Sequence, residues 1–377
     1  MTVTGTRAAR VRMPQGSRTW TVVDGAGLPL DAVEQYLNWL RAVGRSVSTV
    51  RAYAFHLAHL FRWLAARGIA WDQVDFDGLC DFMLALKAGL PPLAKRGGGE
   101  RDASSAGAAA SAVREFFEFH RTEGHGPADL RLSKTTAYSS RTTYHFLAHV
   151  ERRRGVEVNR LAAGLRSRRP EVRVISFEND FLRLLEAAST ERDRLLLSAC
   201  YDLGLRMGQS LGLRHGDLDP MRQQVRVERR DANLNEALSK RRGAFTVKAP
   251  RRFFDLYRAY LLGELMPAGI DCDYLFVNLR RHPVGSPLSY SNARQLITAI
   301  GDRAGIDGLH PHMLRHTHAT ALARAGWTGA EIAARLGHEH ASSADVYIHL
   351  ANDDLNRRLA ATQHLIWPDL PQAEPAP

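Results

Sequence analysis

Residues 310–320 read HPHMLRHTHAT and bring four histidines and one arginine into eleven positions. His312 and Arg315 stand three positions apart, so they lie on one face of the helix that we predict over about residues 311–325. Two further segments also concentrate unusual polar side chains at predicted helix ends or turns. They are LGLRMGQSLGLRHGDLD at 203–219, with Arg206 at a helix start, and LGHEHASSADVYIHL at 336–350, with His338 nine residues before Tyr347. Each segment alone is a weak signal, whereas three in this order form one pattern.

Apolar periodicity predicts two mainly helical domains around these segments. Before residue 130, apolar residues recur at helical spacing at about residues 30–43, 46–68, 76–88 and around Val113. After Pro170 we predict helices at about 178–188, 191–204, 251–264, 290–304, 311–325, 328–336, 342–350 and 353–365, and short strands at 225–227, 245–247 and 275–277. The expected fold class is therefore mainly α with a small antiparallel β-sheet.

The expected domain organisation follows from the same pattern. It comprises an N-terminal arm (1–27), a helical domain with an additional linker-proximal element (28–155), a basic inter-domain linker (156–175), a second domain (176–352) and a C-terminal helix with a Pro-rich tail (353–377).

Composition excludes several classes of protein. Of the 377 residues, 45% are hydrophobic and 24% are charged, which is typical of a globular chain and not of a disordered or fibrous one. The three cysteines, Cys80, Cys200 and Cys272, are scattered and provide neither a disulfide framework nor a zinc ribbon. No apolar stretch approaches 18 residues and the N-terminus lacks an apolar signal core, so we expect a cytoplasmic protein.

The net charge of +11, from 51 basic and 40 acidic residues, favours a polyanionic partner. Residues 131–175 alone hold 11 basic against 3 acidic side chains. We expect this segment to contact DNA phosphates, and the alternative is a solvated run of charge. The candidate contacts are Arg152, Arg153, Arg154, Arg168, Arg169 and Arg173.

The three polar segments resemble the tyrosine recombinase family, which includes integrases, Xer-type recombinases and related transposases. The family's G-L-R box, its H-x-x-R-H-T helix start and its L-G-H followed nine residues later by tyrosine are matched in order. In addition, RRDANLNEALSK at 229–240 is similar to a stretch of the paired transposases of site-specific transposons. The resemblance implies a SAM-like core-binding domain and a catalytic domain that clamp duplex DNA in a C shape. It also implies a homo- or hetero-tetramer on synapsed DNA, nucleoid-associated when bound.

The expected reaction is DNA cleavage and rejoining without a metal ion, ATP or other cofactor. Tyr347 would attack a phosphodiester, leaving a 3′-phosphotyrosyl link and a free 5′-hydroxyl. The arginine forks of Arg206 and Arg315 suit the negative charge that grows on the non-bridging oxygens in the transition state. His312, with an ordinary pKa of ~6.5, is the expected base for Tyr347. The resemblance implies that His338 adds a hydrogen bond to the phosphate.

The leaving 5′-oxygen needs a proton, which a lysine on a β-hairpin supplies in the family. Lys240 falls seven residues before Val247, the family's offset, and is favoured over Lys248, for which a phosphate or surface contact is the simpler role. Three further arginines are candidate DNA contacts: Arg241 and Arg242 beside Lys240, and Arg51 on the second predicted helix.

Three positions depart from the family pattern. Gln209 stands where an acidic residue usually helps to orient the site, His318 where an aromatic residue is common, and Phe245 where an arginine often precedes the second hairpin strand. The amide of Gln209 can hydrogen-bond in place of the carboxylate but carries no charge, which leaves the orientation of Arg206 open.

Several alternatives stay open from the sequence alone. Tyr347 could be an ordinary amphipathic-helix residue, and the pair His312 and His316 could bind a metal ion, although HExxH is absent. As alternatives to a recombinase, the chain could be a catalytically silent DNA-binding protein of the same fold or a type IB topoisomerase-like relaxing enzyme. Integration, transposition and resolution are all compatible with the motifs, and residues 229–240 favour transposition.

Overall fold

The computed structural model describes residues 5–13, 18–94, 97–127, 129–136, 156–162, 165, 172–230, 233–235, 237, 243–337 and 341–366. The chain divides into two compact units, Met1–Pro170 and Glu171–Pro377. Several predicted features lie outside the described residues: Arg152, Arg153, Arg154, Arg168, Arg169, Lys240, Arg241, Arg242, His338 and the Pro-rich tail.

In the part of the chain that the structure describes, unit 1 contains four α-helices with antiparallel strand pairs beside them. Its elements in chain order are β1 (Arg7–Arg12), β2 (Arg18–Val23), α1 (Asp31–Ala42), α2 (Val47–Arg67), α3 (Phe76–Ala88), α4 (Ala103–Thr122), β3 (Ser133–Thr136) and β4 (Val156–Asn159). Strand β1 pairs with β2, and β3 pairs with β4. The apolar faces of the four helices meet in one core around Trp63, Phe82 and Phe116, which are fully buried.

The β1–β2 hairpin lies within the stretch predicted as an N-terminal arm and packs on α2. The ring centroids of Trp20 and Phe55 are 5.3 Å apart. Arg62 donates from Nη2 to the Thr6 carbonyl oxygen over 2.7 Å, which ties the start of the hairpin to the same helix. The predicted domain boundaries stay a prediction.

Unit 2 is mostly helical and contains one small antiparallel sheet. Its helices are α5 (Leu182–Ala187), α6 (Glu191–Tyr201), α7 (Met207–Leu211), α8 (Arg251–Tyr260), α9 (Tyr290–Ala304), α10 (Pro311–Arg324), α11 (Gly329–Leu336) and α12 (Asp345–Ile366). Its strands β5 (Leu218–Asp219), β6 (Gln224–Val227) and β7 (Phe245–Lys248) form a sheet in the order β5-β6-β7. The expected fold class, mainly α with a small antiparallel sheet, is confirmed.

The core of unit 2 has two parts. The larger part includes Phe181, Phe253, Phe276 and Ile297. A smaller apolar cluster joins α10, α11 and α12 and contains Ala319, Ile332, Leu336 and Tyr347. The candidate nucleophile therefore belongs to a packed cluster between three helices, a position that restricts its side chain.

Two predicted elements of unit 2 differ in the structure. The strand expected at 275–277 is replaced by two isolated bridges, Arg214 with Tyr274 and Val277 with Pro287. The helices expected at 342–350 and 353–365 form the single helix α12, since neither glycine nor proline interrupts residues 345–366. None of the helices in the described part of the chain is both long and apolar enough to span a membrane.

Candidate active site

Arg315 lies on α10 and is 2% exposed. Its Nη1 donates to the Gly204 carbonyl oxygen over 2.6 Å, and its Nη2 donates to the Leu336 carbonyl oxygen over 3.0 Å. The guanidinium therefore joins the turn before α7 to the last residue of α11. Burial and the charge of Arg206 lower the pKa of Arg315, which places the two predicted arginines in one electrostatic environment.

Gly204 explains why the G-L-R box begins with glycine. Its φ is +63°, and a Cβ there would lie 2.5 Å from Cδ2 of His318 and 2.8 Å from Cδ2 of Leu336. A larger residue would be strained and would press on both neighbours of Arg315. His318, where the family often has an aromatic ring, fills this space, and burial lowers the pKa of its imidazole to about 3.

Gln209 occupies the position where an acidic residue was expected and is 2% exposed. Its Oε1 accepts hydrogen bonds from the Arg206 backbone N–H, at 2.9 Å, and from Nη1 of Arg315, at 3.5 Å. Its buried Nε2 has no hydrogen-bond partner in the described part of the chain. The amide thus makes the contacts of an acceptor but gives the two arginines no counter-charge.

Replacing Gln209 with glutamate is expected to stabilise the fold. The carboxylate would accept the same two hydrogen bonds, pair with Arg315 and remove the unpartnered Nε2, so we expect the midpoint of thermal unfolding to rise by a few degrees at pH 7, about 1 kcal/mol. The arginines should hold the pKa of the new carboxyl below its unfolded value of about 4.3. The gain should therefore be present above that pH and lost as the pH falls through the folded pKa. Calorimetry of both proteins between pH 3 and 8 measures it, and no gain at pH 7 would contradict the prediction.

Tyr347 lies in the first turn of α12 and is 3% exposed. Its hydroxyl is 2.8 Å from Nδ1 of His316 on α10. Burial raises the pKa of the phenol, while the charges of Arg315 and Arg206 act in the opposite direction. The nucleophile candidate and both arginines therefore meet within one unit of one chain.

His312 lies one helical turn before His316, and their ring centroids are 6.2 Å apart. The two imidazoles follow one face of α10, as the i, i+4 spacing requires. The structure thus brings Arg206, Arg315, His312 and Tyr347 to one region of unit 2. His316, which the sequence interpretation had considered only as a metal or structural partner, joins them; its spacing from His312 was the available signal.

Lys248, the alternative to Lys240, lies at the end of β7. Its Nζ donates to the Arg222 carbonyl oxygen over 2.9 Å. That contact joins β7 to the turn before β6 and gives Lys248 a structural role.

Arg230 and Asn235, two described polar residues of the stretch 229–240, anchor the connection between β6 and β7. Arg230 donates hydrogen bonds from both of its terminal nitrogens to the Asp217 carboxylate, at 2.6 and 2.8 Å. Asn235 is buried, and its Nδ2 donates to the carbonyl oxygens of Leu211, at 3.0 Å, and Leu288, at 3.1 Å. Since Leu211 ends α7, the connection is fixed to the helix that begins directly after Arg206.

Comparisons with protein families complete this picture. The model of the phage integrase family matches residues 177–353, which include Arg206, Arg315 and Tyr347. The model of the phage integrase N-terminal SAM-like domain matches residues 33–124, which contain most of α1 and all of α2, α3 and α4. The chain belongs to the phage integrase family of tyrosine recombinases.

Two similar proteins align over most of the chain. Transposase A from transposon Tn554 of Staphylococcus aureus is 29% identical over 344 residues, which cover 89% of this chain and 92% of that protein. Tyrosine recombinase XerC of Herpetosiphon aurantiacus is 25% identical over 327 residues, covering 85% and 91%.

Solved structures of integrase-family proteins share the fold. The XerH site-specific recombinase, in a post-cleavage complex with a palindromic difH substrate, superposes with a TM-score of 0.57 at 17% identity, covering 87% of this chain and 83% of that one. A lambda integrase dimer bound to a COC′ core site gives 0.54 at 15% identity, covering 84% and 94%.

Two of the arginines predicted to contact DNA are described. Arg51 is exposed on α2, with its guanidinium carbon 5.2 Å from the Trp20 ring centroid and 5.7 Å from that of Phe55. Arg173 is also exposed, in the segment before α5. The two aromatic rings hold the guanidinium of Arg51 at the surface without neutralising it.

Proposed function

We propose that this chain is a site-specific DNA recombinase acting as a transposase, which cuts and rejoins DNA through a 3′-phosphotyrosyl intermediate at Tyr347. The observation that carries the proposal is the position of the Tyr347 hydroxyl, bonded to His316 and within the electrostatic reach of Arg206 and Arg315. The match to transposase A of Tn554 over 89% of the chain supports transposition as the setting.

The proposed chemistry assigns a role to each site residue. Arg206 and Arg315 bind the non-bridging oxygens of the scissile phosphate, with more effect in the transition state, where the negative charge is larger. Tyr347 forms the bond to phosphorus and Lys240 gives a proton to the leaving 5′-oxygen. His338 adds a hydrogen bond to the phosphate, and a histidine of α10, His312 in the sequence prediction, accepts the proton of Tyr347. The bond energy is retained in the covalent intermediate, so rejoining requires no ATP.

The proposed partner is double-stranded DNA. We expect the DNA to be held by the predicted contact residues, which are Arg51, Arg152, Arg153, Arg154, Arg168, Arg169, Arg173, Arg241 and Arg242. Exchange of strands between two duplexes needs four active sites, so we propose a tetramer on synapsed DNA, of one chain or with a partner recombinase. We also propose that the protein resides in the cytoplasm and is associated with the nucleoid when bound.

Covalent capture of DNA tests the enzyme. The probes are duplex oligonucleotides that tile the DNA flanking the gene, each with a nick that lets the 5′-hydroxyl fragment diffuse away after cleavage. We expect an adduct that survives denaturation and maps to the Tyr347 peptide by mass spectrometry. Tight binding without an adduct at any tile would favour the silent DNA-binding protein, and relaxation of supercoiled plasmid lacking these sequences would favour the topoisomerase-like enzyme.

Reversing Arg152, Arg153 and Arg154 to glutamate is expected to flatten the salt dependence of DNA binding. Each phosphate contact contributes about −0.9 to the slope of log K against log salt, so three lost contacts should reduce its magnitude by up to about 2.7. Fluorescence anisotropy with a labelled duplex between 50 and 300 mM NaCl measures the slope. Reversal of Arg280 and Arg281, two adjacent arginines of unit 2 outside the proposed contacts, serves as control. An unchanged slope in the triple variant would assign these arginines to the solvated surface.

A further inference from the structure

The hydrogen bond between Tyr347 and His316 has a defined direction. Burial raises the pKa of the phenol, so Tyr347 carries its proton at neutral pH. Burial, together with the charges of His312, His310 and Arg315, lowers the pKa of His316 to about 4, so its imidazole is neutral. The phenol therefore donates and Nδ1 of His316 accepts over 2.8 Å, which places the ring hydrogen on Nε2.

Packing around the site fixes the position of the acceptor, Nδ1 of His316. His316 lies on α10 beside Arg315, whose guanidinium is fixed to two backbone carbonyl oxygens. Tyr347 is held from the other side by the apolar cluster of α10, α11 and α12. The accepting atom of a base has to lie within about 2.6–3.2 Å of the heavy atom whose proton it removes, and Nδ1 of His316, at 2.8 Å from the Tyr347 oxygen, satisfies that condition.

We propose that Nδ1 of His316 takes the proton of the Tyr347 hydroxyl as this oxygen attacks the DNA phosphorus, which makes His316 a catalytic residue. The inference rests on the proposed function. The Tyr347 O–H bond breaks as the Oη–P bond forms, and the P–O5′ bond breaks as the 5′-oxygen takes a proton from a separate donor. In rejoining, the 5′-hydroxyl attacks phosphorus and gives its proton back to that donor, while His316 returns its proton to the departing phenolate.

The positive neighbours of His316 link this step to the arrival of DNA. Part of the lowering of the His316 pKa comes from His312, His310 and Arg315. A phosphate bound at the arginines adds a negative charge beside the same groups and raises the pKa of His316 toward its ordinary value. His316 is thus a stronger base when the substrate is in place, and His312, one turn away, is left to contact the phosphate.

The first test needs no DNA. Nitrogen-15 NMR of the histidine rings in the full-length protein at pH 7 should show His316 neutral, with its hydrogen on Nε2 and its Nδ1 resonance shifted in Tyr347→Phe. A His316 ring that is protonated or carries its hydrogen on Nδ1 would overturn the inference, whatever the protein does to DNA.

The second test measures single-turnover adduct formation on the nicked flanking duplexes. His316→Ala should form adduct about 100-fold or more slowly and recover part of the rate in added imidazole. His316→Asn should keep the hydrogen bond, because Oδ1 of asparagine takes the place of Nδ1, but should stay slow, because an amide accepts no proton. His349→Ala, an exposed residue of α12, serves as the matched control and should react at the native rate.

The outcomes separate the two proposals. If the unchanged protein forms adduct and either His316 variant forms it at the same rate, the role of His316 is overturned. The proposal that the chain is a recombinase would then still stand. A native protein that forms no adduct at any tile would overturn the proposed function and this inference with it. Because His316→Asn retains the contact to Tyr347, it reports on proton transfer even where His316→Ala fails to fold.

Discussion

Tyr347→Phe is expected to abolish covalent capture of DNA while leaving the fold and DNA binding in place. Phenylalanine keeps the ring in the apolar cluster of α10, α11 and α12 but lacks the oxygen that forms the bond to phosphorus. Loss of the nucleophile should reduce adduct formation by more than about 10⁴-fold, to background. Losing the hydrogen bond to His316 should reduce the free energy of unfolding by about 1 kcal/mol.

Binding and cleavage are measured on the same nicked duplexes. Affinity should change by less than about twofold, since contacts with phosphates supply most of the binding free energy. Tyr290→Phe gives a matched control, because Tyr290 is exposed at the start of α9 in the same unit. Residual adduct in Tyr347→Phe at the native rate would show that another residue is the nucleophile.

Arg315→Lys is expected to slow DNA cleavage far more than it weakens DNA binding. A lysine ammonium has no fork, so it cannot bond the carbonyl oxygens of Gly204 and Leu336 and also present donors to a phosphate. Removing one donor that stabilises transition-state charge costs about 10²–10³-fold in rate. We therefore expect cleavage to fall by at least that factor, with a smaller loss of DNA affinity.

A second variant, Arg194→Lys, controls for the loss of stability in Arg315→Lys. Arg194 also donates to two carbonyl oxygens in unit 2, those of Leu185, at 2.9 Å, and Ala188, at 3.1 Å. Arg194→Lys should lower the midpoint of thermal unfolding and leave cleavage per folded molecule unchanged. Equal losses of cleavage per folded molecule in the two variants would mean that Arg315 acts only by holding the fold.

The spacing of residues along the sequence predicted where several active-site residues lie. His312 and Arg315 are separated by one turn of a single helix, so their common face follows from the sequence and the structure confirms the helix. The positions of Arg206 and Tyr347 follow from motifs that resemble the phage integrase family. The fold class follows from apolar periodicity in the same way, because each helix buries one face.

The contacts that complete the site depend on packing between distant segments. His316 meets Tyr347 across 31 positions, and the direction of its side chain is set by how α10 packs on α12. Asn235 reaches Leu288 across 53 positions. Local propensity specifies neither of these two contacts. The sequence therefore indicated the residues involved but not which residues they touch.

Because α12 is continuous, Tyr347 lies near one end of a long, unbroken helix. Tyr347 lies in the first turn, and the helix continues for 19 further residues to Ile366, about 28 Å of rise. A stiff rod of this length transmits a tilt along its whole axis, so a displacement of about 1 Å at the far end corresponds to a rotation of about 2° at the tyrosine. A contact that tilts the last turns of α12 would therefore turn the Tyr347 hydroxyl by the same angle.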